Sequence, residues 1–380
     1  MQFTELTTPT TISAQTDPLQ ATQQLADTLL QTTCVRDRQV LLAVTTQAAE
    51  QAALAALFDR LDLIHTPTRV LVPHVALPVL QAALAPHWPQ AAAQIQAIDA
   101  AHRIHWQAGR FSFDVSARPL VYGILNVSPD SFYDGGRFVA KAAMQAQVAK
   151  MIAAGVDVIE VGGQTTRPGF TEISPEVELT RIVPVLDFLR RAFPDLPLAV
   201  DTYKYPVMVQ ALKLGVDIVN DVTGFTDDPR KLTRLADSPV GLLTMHSNRD
   251  REYQDLTREM NAFFTRNLAD LTAAGIARTR IALDQGIGYA QVADGQQDYT
   301  MMRNLDQLNH FQRPLMVAIS RKGFGARLFG LAKDDRLPVT LVAEAAMVLK
   351  GGNILRVHDV AETVQLVKML RTIETAYWLG

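Results

Sequence analysis

The chain has one cysteine, Cys34. An internal disulfide is therefore excluded, and the composition fits a reducing compartment. No apolar run approaches the roughly 20 residues that a membrane-spanning helix needs. No lysine or arginine precedes Arg36, so the basic segment that opens a secretory or transit peptide is missing and a cytoplasmic protein is expected. Charge of either sign is not in excess: 36 basic and 39 acidic residues leave a net of -3. Neither nucleic acid nor a membrane surface is thereby implied as the main partner. Familiar ligand motifs are missing too. There is no P-loop and no H-E-x-x-H pair, and "GFGARL" places Leu328 where a dinucleotide fingerprint needs its third glycine.

What remains is an ordinary globular composition, 48% hydrophobic and 20% charged, in 380 residues. That length suits one large domain with something smaller beside it. The first part, residues 1–103, reads as a small α/β unit. Residues 1–20 are polar and threonine-rich, and the first few are expected to fray. Helices are predicted over 18–32, 46–61 and 77–88, with short strands over 40–44 and 69–72. His65, His74 and His87 match no metal-ligand spacing. A packing or dimerisation appendage is the reading this supports.

Residues 104–380 follow another rhythm. "AGVDVIEVGG", "LGVDIVNDVTG" and "GGNILRVHDV" share one plan, and "GIARTRIALDQG" is a looser copy. A glycine suits the end of a helix, and a short β-branched strand then finishes in polar groups. Strands are predicted to end near Asn126, Val161, Asp201, Asp221, Met245, Asp284, Ser320 and Val357. Between them lie helical patterns such as 141–154, 175–193, 206–214 and 254–274. Eight such units make a (β/α)8 TIM barrel the predicted fold, preceded by the small α/β domain.

In that fold the C-terminal strand ends share one mouth. The residues due there are Asn126, Asp201, Asn220, Asp221, His246, Asp284, Arg321, Lys322, Arg356 and His358. Singly, an Asp or Asn after a strand is usually a cap or turn former, and Asp221 before "VTG" suits that role best. Together they offer paired hydrogen bonds for a flat heterocycle (Asp201, Asn220, Asp284) and cationic donors for an anion (Arg167, Arg321, Lys322, Arg356, His358). A ligand with a polar ring at one end and phosphate at the other would satisfy both.

"GILNVSPDSFYDGG", "DVIEVGGQTTRPG", "AVDTYK", "VDIVNDVTG", "LDQGIGY", "AISRKGF" and "ILRVHDV" stand in an order that resembles the dihydropteroate synthase family over residues 119–360. The resemblance implies condensation of a dihydropterin-methyl pyrophosphate with p-aminobenzoate, use of Mg2+ and a homodimer. It implies that Asp201, Asn220, Asp284 and Lys322 bind the pterin, with Met245 and Tyr289 as its apolar wall. Asn126 would hold the metal beside a pyrophosphate taken by Arg167, Arg356 and His358. The loops carrying Asp130, Ser131 and Phe132, and Thr166, Arg167 and Pro168, would close over the pterin and form the p-aminobenzoate pocket with Gly323. Asp130, Arg167, Lys322, Arg356 and His358 are thereby the candidate catalytic residues.

Several positions depart from the family pattern: Gly323 for a usual serine, Gln164 for Glu, Gln285 for Pro, Ser247 for Asn and Tyr289 for Phe. Two other readings stay open. A pterin-dependent methyltransferase shares the barrel but has no use for "SPDSF" or for "SRK" with "RVHD". A non-catalytic pterin-binding paralogue or partner subunit would accommodate Gly323, Gln164 and the extra domain.

Overall fold

A computed structural model describes residues 1–7, 18–127, 137–164, 170–247, 253–289 and 295–377. It divides into two compact units. One comprises Met1–Arg103, Asp306–Gln312 and Met369–Gly380, and the other Ile104–Leu305 and Arg313–Lys368.

The first unit is built on an antiparallel sheet in the order β1-β2-β4-β3, from β1 (Gln2–Glu5), β2 (Gln39–Thr45), β3 (Ile64–Thr66) and β4 (Arg69–Pro73). Its helices are α1 (Pro18–Arg36), α2 (Ala48–Arg60), α3 (Leu77–Leu84) and α4 (Pro89–His102). The spacing of Leu54, Leu57 and Phe58 turns one face of α2 inward, where it joins Leu42, Leu77, Leu80 and Ile95 in a core of its own. The expectation of a frayed start fails: Phe3 is buried and pairs with Val44, which holds the first strand on the sheet edge. Helix α1 runs on past residue 32 to Arg36, and within it the Thr32 and Thr33 hydroxyls donate to the Thr28 and Leu29 carbonyls one turn back.

The second unit opens with a hairpin, β5 (His105–Ala108) and β6 (Phe111–Asp114). Eight parallel strands follow and close a barrel: β7 (Leu120–Asn126), β8 (Val158–Gly162), β9 (Leu198–Asp201), β10 (Ile218–Asp221), β11 (Gly241–Met245), β12 (Ile281–Asp284), β13 (Leu315–Val317) and β14 (Ile354–Val357). Helices alternate with them as α5 (Arg137–Ala154), α6 (Pro175–Ala192), α7 (Tyr205–Lys213), α8 (Arg230–Ala236), α9 (Leu256–Ala273), α10 (Gln296–Arg303), α11 (Phe324–Phe329), α12 (Leu337–Leu349) and α13 (Val360–Glu374). This is the predicted TIM barrel. The repeated glycines do what the pattern required, since Gly155, Gly215 and Gly351 leave their helices with φ of 94°, 77° and 106°.

Strand β13 stops at Val317, short of the predicted Ser320. The Lys322 amide donates to the Ile319 carbonyl and Arg321 takes φ 53°, a turn that ends the extended chain. The floor of the barrel is apolar. Leu120, Val158, Ala199, Ile218, Leu243, Ala282, Met316 and Ile354, one from each strand, cluster around Trp106 of the hairpin. Trp106 is fully buried and its indole N–H donates to the Arg280 carbonyl at 2.9 Å. Trp106→Ala is expected to cost about 3–5 kcal/mol by opening a cavity under the barrel. Urea denaturation measures this, and a loss below about 1 kcal/mol would mean that the hairpin does not plug the floor.

Candidate active site

Side chains alternate in and out along a strand, so the residue two beyond each floor residue also points inward. Applied to the floor, the rule gives Tyr122, Glu160, Asp201, Asn220, Met245, Asp284, Ala318 and Arg356. A second layer rich in charge thus sits directly on an apolar one. Asp221 falls on the opposite parity and faces the helices. Its carboxylate accepts from Thr223 and pairs at 2.6 Å with Lys231, which is itself buried. Asp221 is a structural turn residue.

Four members of the layer form one network. Glu160 is 0% exposed; its Oε1 receives Nε (2.7 Å) and Nη2 of Arg356, and its Oε2 receives the Asn220 amide at 2.9 Å. Arg356 Nη2 also donates to Asp201 at 2.6 Å. Burial works against the charge on Arg356, but Glu160 and Asp201 hold its guanidinium firmly protonated. Burial raises the Asp201 carboxyl to about 7, Arg356 opposing and Glu160 assisting the rise. Among the described residues, the buried Asn220 Oδ1 has no hydrogen-bond partner. An orphaned acceptor beside two carboxylates suits a ligand that brings N–H donors.

On the other side of the mouth, burial raises Asp284, with Lys322 and Arg356 opposing. Its Oδ1 accepts the Gly286 amide at 2.8 Å. The Lys322 ammonium lies 4.9 Å over the Tyr289 ring and donates to the Ile287 carbonyl. Met245, Val222 and Tyr289 pack together as an apolar wall. At the end of β7 Asn126 is exposed, and its Oδ1 lies 3.5 Å from where a Cβ on Gly162 would be. Register places Asn126, Gly162, Asp201 and Asn220 side by side across four strands.

The chain fits known proteins at this point. The model for "Pterin binding enzyme" matches residues 122–358. The dihydropteroate synthase of Escherichia coli K12 is 35% identical over 272 residues, covering 70% of this chain and 95% of that one. The Bacillus subtilis dihydropteroate synthase is 34% identical over 275 residues, covering 72% and 94%. Among solved structures, the Xanthomonas albilineans dihydropteroate synthase with 4-aminobenzoic acid superposes with a TM-score of 0.67 at 31% identity, covering 72% of this chain and 99% of that one. The Clostridium difficile dihydropteroate synthase in the presence of pteroic acid gives 0.65 at 32%, covering 69% and 98%. The chain belongs to the pterin binding enzymes, in the dihydropteroate synthase family.

For a pterin binding enzyme, the expected site residues divide into three groups. Asn126, Asp201, Asn220, Met245, Asp284, Tyr289, Lys322 and Arg356 are brought to the mouth or wall described above. His358 is partly buried at the β14 end and bonded through Nδ1 to Ser320 at 3.0 Å. Gly323 is the residue that caps the start of α11, next to Lys322. Asp130, Ser131, Phe132, Thr166, Arg167 and Pro168 lie outside the described residues. Arg321 needs correction as an anion donor. Its guanidinium is clamped bidentately by Asp359 at 2.8 Å and caps the Asp334 carbonyl at 2.7 Å, so it braces the β13 exit.

Glu160 escaped the sequence reading, although a carboxylate inside the apolar run "DVIEVGG" is itself a signal of inward parity. Gln164 is tied by its Oε1 to Lys204 and to the Ile173 amide, both at 2.8 Å, and by its amide to Tyr203. A neutral acceptor suffices there because Lys204 already has Glu178 at 2.7 Å.

The raised Asp201 fixes a pH effect. Between its ordinary value of 3.8 and about 7, the folded state holds a proton that the unfolded chain has lost. That contribution to stability is full below the lower value and is lost as pH rises to the upper one. Glu160→Gln removes a negative neighbour, so the Asp201 carboxyl should titrate below about 7 and the window should narrow. Carboxyl carbon NMR titration tests this; an unmoved Asp201 would sink the coupling.

Proposed function

We propose that this chain condenses (7,8-dihydropterin-6-yl)methyl diphosphate with p-aminobenzoate, giving 7,8-dihydropteroate and pyrophosphate for folate biosynthesis. The supporting observation is the inward layer, with the carboxylates of Glu160, Asp201 and Asp284, an Asn220 acceptor that has no partner among the described residues, and a cationic rim at the β13 and β14 corner. Family membership carries the same reading.

Asp201, Asn220, Asp284 and Lys322 take the polar edges of the pterin, and Met245 with Tyr289 covers its face. Buried groups matched in this way discriminate sharply, because an analogue without the right donors leaves them unpaired. Arg356, His358 and Arg167 hold the diphosphate. Arg356 does so while anchored to Glu160, so its position is set before the ligand arrives. Gly323 is assigned to the aminobenzoate, a role proposed also for Phe132, Thr166 and Pro168, with Asp130 as a catalytic residue; these last four lie outside the described residues.

Mg2+ fits a single protein ligand. Among the described residues, no three His, Cys, Asp or Glu side chains gather as a metal cage. Asn126 offers one exposed amide oxygen beside the mouth, and Mg2+ keeps most of its waters and substrate oxygens. When bound there it would neutralise charge on the diphosphate.

The reaction is a dissociative substitution. The exocyclic C–O bond breaks and pyrophosphate leaves with the electron pair, held by Arg356, Arg167 and His358. The cation left on the methylene spreads into the pterin ring, whose N–H donors face Asp201 and Asp284 and favour their ionised forms. The neutral aryl amine then attacks through its nitrogen, and the adduct loses a proton. The apolar wall of Met245 and Tyr289 limits water at the methylene.

A homodimer is part of the proposal. Val342 and Leu349 of α12, seven residues apart, are 72% and 59% exposed on one side of the helix, and Leu328 and Phe329 of α11 are exposed too. The described residues include no helix long and apolar enough to cross a membrane. The single Cys34 supports a cytoplasmic setting.

Two outcomes are expected. Purified protein given the pterin diphosphate, p-aminobenzoate and Mg2+ should release dihydropteroate and pyrophosphate in equal amounts. Pterin binding with neither product would favour the non-catalytic reading. In sedimentation the wild type should run as a dimer and Val342→Glu as a monomer; an unchanged Val342→Glu profile would place any interface elsewhere.

A further inference from the structure

Gly323 raises a question that its backbone does not answer. It has an ordinary helical conformation (φ -66°, ψ -13°), so no turn requires glycine. A Cβ built there would first meet Arg327, with Cζ and Nη1 both 3.9 Å away, which is ordinary contact. The position therefore opens onto the guanidinium of the residue one helical turn later.

That guanidinium is seated. Its Nη2 donates to Asp298, whose side chain is 3% exposed. The other Asp298 oxygen accepts the Gly288 amide at 2.8 Å. Gly295 lies against the opposite edge: a Cβ there would stand 2.4 Å from Arg327 Nε, and its φ of +70° also favours glycine. Gly288 in turn packs on the Lys322 stem, since a Cβ there would be 2.7 Å from Lys322 Cδ. An unbroken path along the rim thus links the Lys322 ammonium to Arg327, which keeps 32% of its side chain exposed and turns Nη1 toward Gly323.

We infer that Arg327 is the carboxylate clamp of the acceptor site, receiving the acid group of the aryl amine over the open side of Gly323. This rests on the function proposed above. A glycine gives the carboxylate room to reach the guanidinium, and a charged planar donor is a stronger anion partner than a neutral hydroxyl. Arg327 thereby selects anionic over neutral aryl amines, because a neutral substituent forfeits the charged hydrogen bond.

Calorimetric binding of pteroate and of its neutral carboxamide to the full chain tests this without turnover. The wild type should hold pteroate about tenfold or more tighter than the carboxamide. Arg327→Gln should erase that preference while carboxamide affinity stays within about twofold. Arg327→Lys, which keeps the charge but loses the fork, should fall between and decides the matter if Arg327→Gln does not fold. Adding Gly323→Ser to Arg327→Gln should recover part of the pteroate affinity. A preference that survives Arg327→Gln, or an equal loss of both ligands, overturns the clamp alone. A wild type that binds neither ligand overturns the synthase reading and the clamp with it.

Discussion

Glu160 and Arg356 form an ion pair inside a closed barrel, and most of the site depends on it. Two charges taken out of water are tolerated only where their remaining hydrogen-bonding groups are also matched. Here Arg356, on β14, reaches past β7 to Glu160 on β8 and Asp201 on β9, while Asn220 on β10 secures the second Glu160 oxygen. Five consecutive strands are thus spanned by one set of polar contacts, with Tyr122 of β7 buried beside it. Removing Arg356 would leave Glu160 buried with only the Asn220 amide, and removing Glu160 would leave Arg356 with Asp201 alone, so the pair holds the barrel and the ligand floor in the same arrangement.

The vertical order of the barrel makes this arrangement possible. An apolar floor, sealed by Trp106, keeps water from reaching the network from below. The polar layer above it is then desolvated from one side and open on the other. Burial raises Asp201 to about 7 and raises Asp284 as well, while the nearby cations pull both back. Groups in that condition respond to whatever enters the mouth, because a ligand with N–H donors favours the ionised form.

The rim is organised differently from the floor. Cations there are each fixed by a partner that determines what they can do. Arg321 is closed off by Asp359, Lys322 leans on Tyr289 and the Ile287 carbonyl, and Arg327 is seated on Asp298. Similar charges at similar distances along the chain therefore have unlike roles. A brace, a ring-side ammonium and a partly exposed guanidinium follow one another within seven residues.

The eight-fold repeat of strand and helix was legible in the chain, because a β-branched run between a helix-ending glycine and a polar end admits few folds. The convergence of Asp201, Asn220, Asp284 and Arg356 was legible as well, since strand ends in a barrel share one mouth. Parity along "VDIVND" even separates Asn220 from Asp221, although only the floor cluster shows which of the two points inward. Partnership was not legible. Nothing in "SRKGFGAR" distinguishes Arg321 from Arg327, because Asp359 and Asp298 lie far away along the chain in opposite directions. Nor does sequence distance reveal that Glu160 meets Arg356 across 196 positions. Local pattern determined the elements and the face each side chain takes; barrel closure decided which charges meet, because it alone brings distant strands within hydrogen-bonding reach.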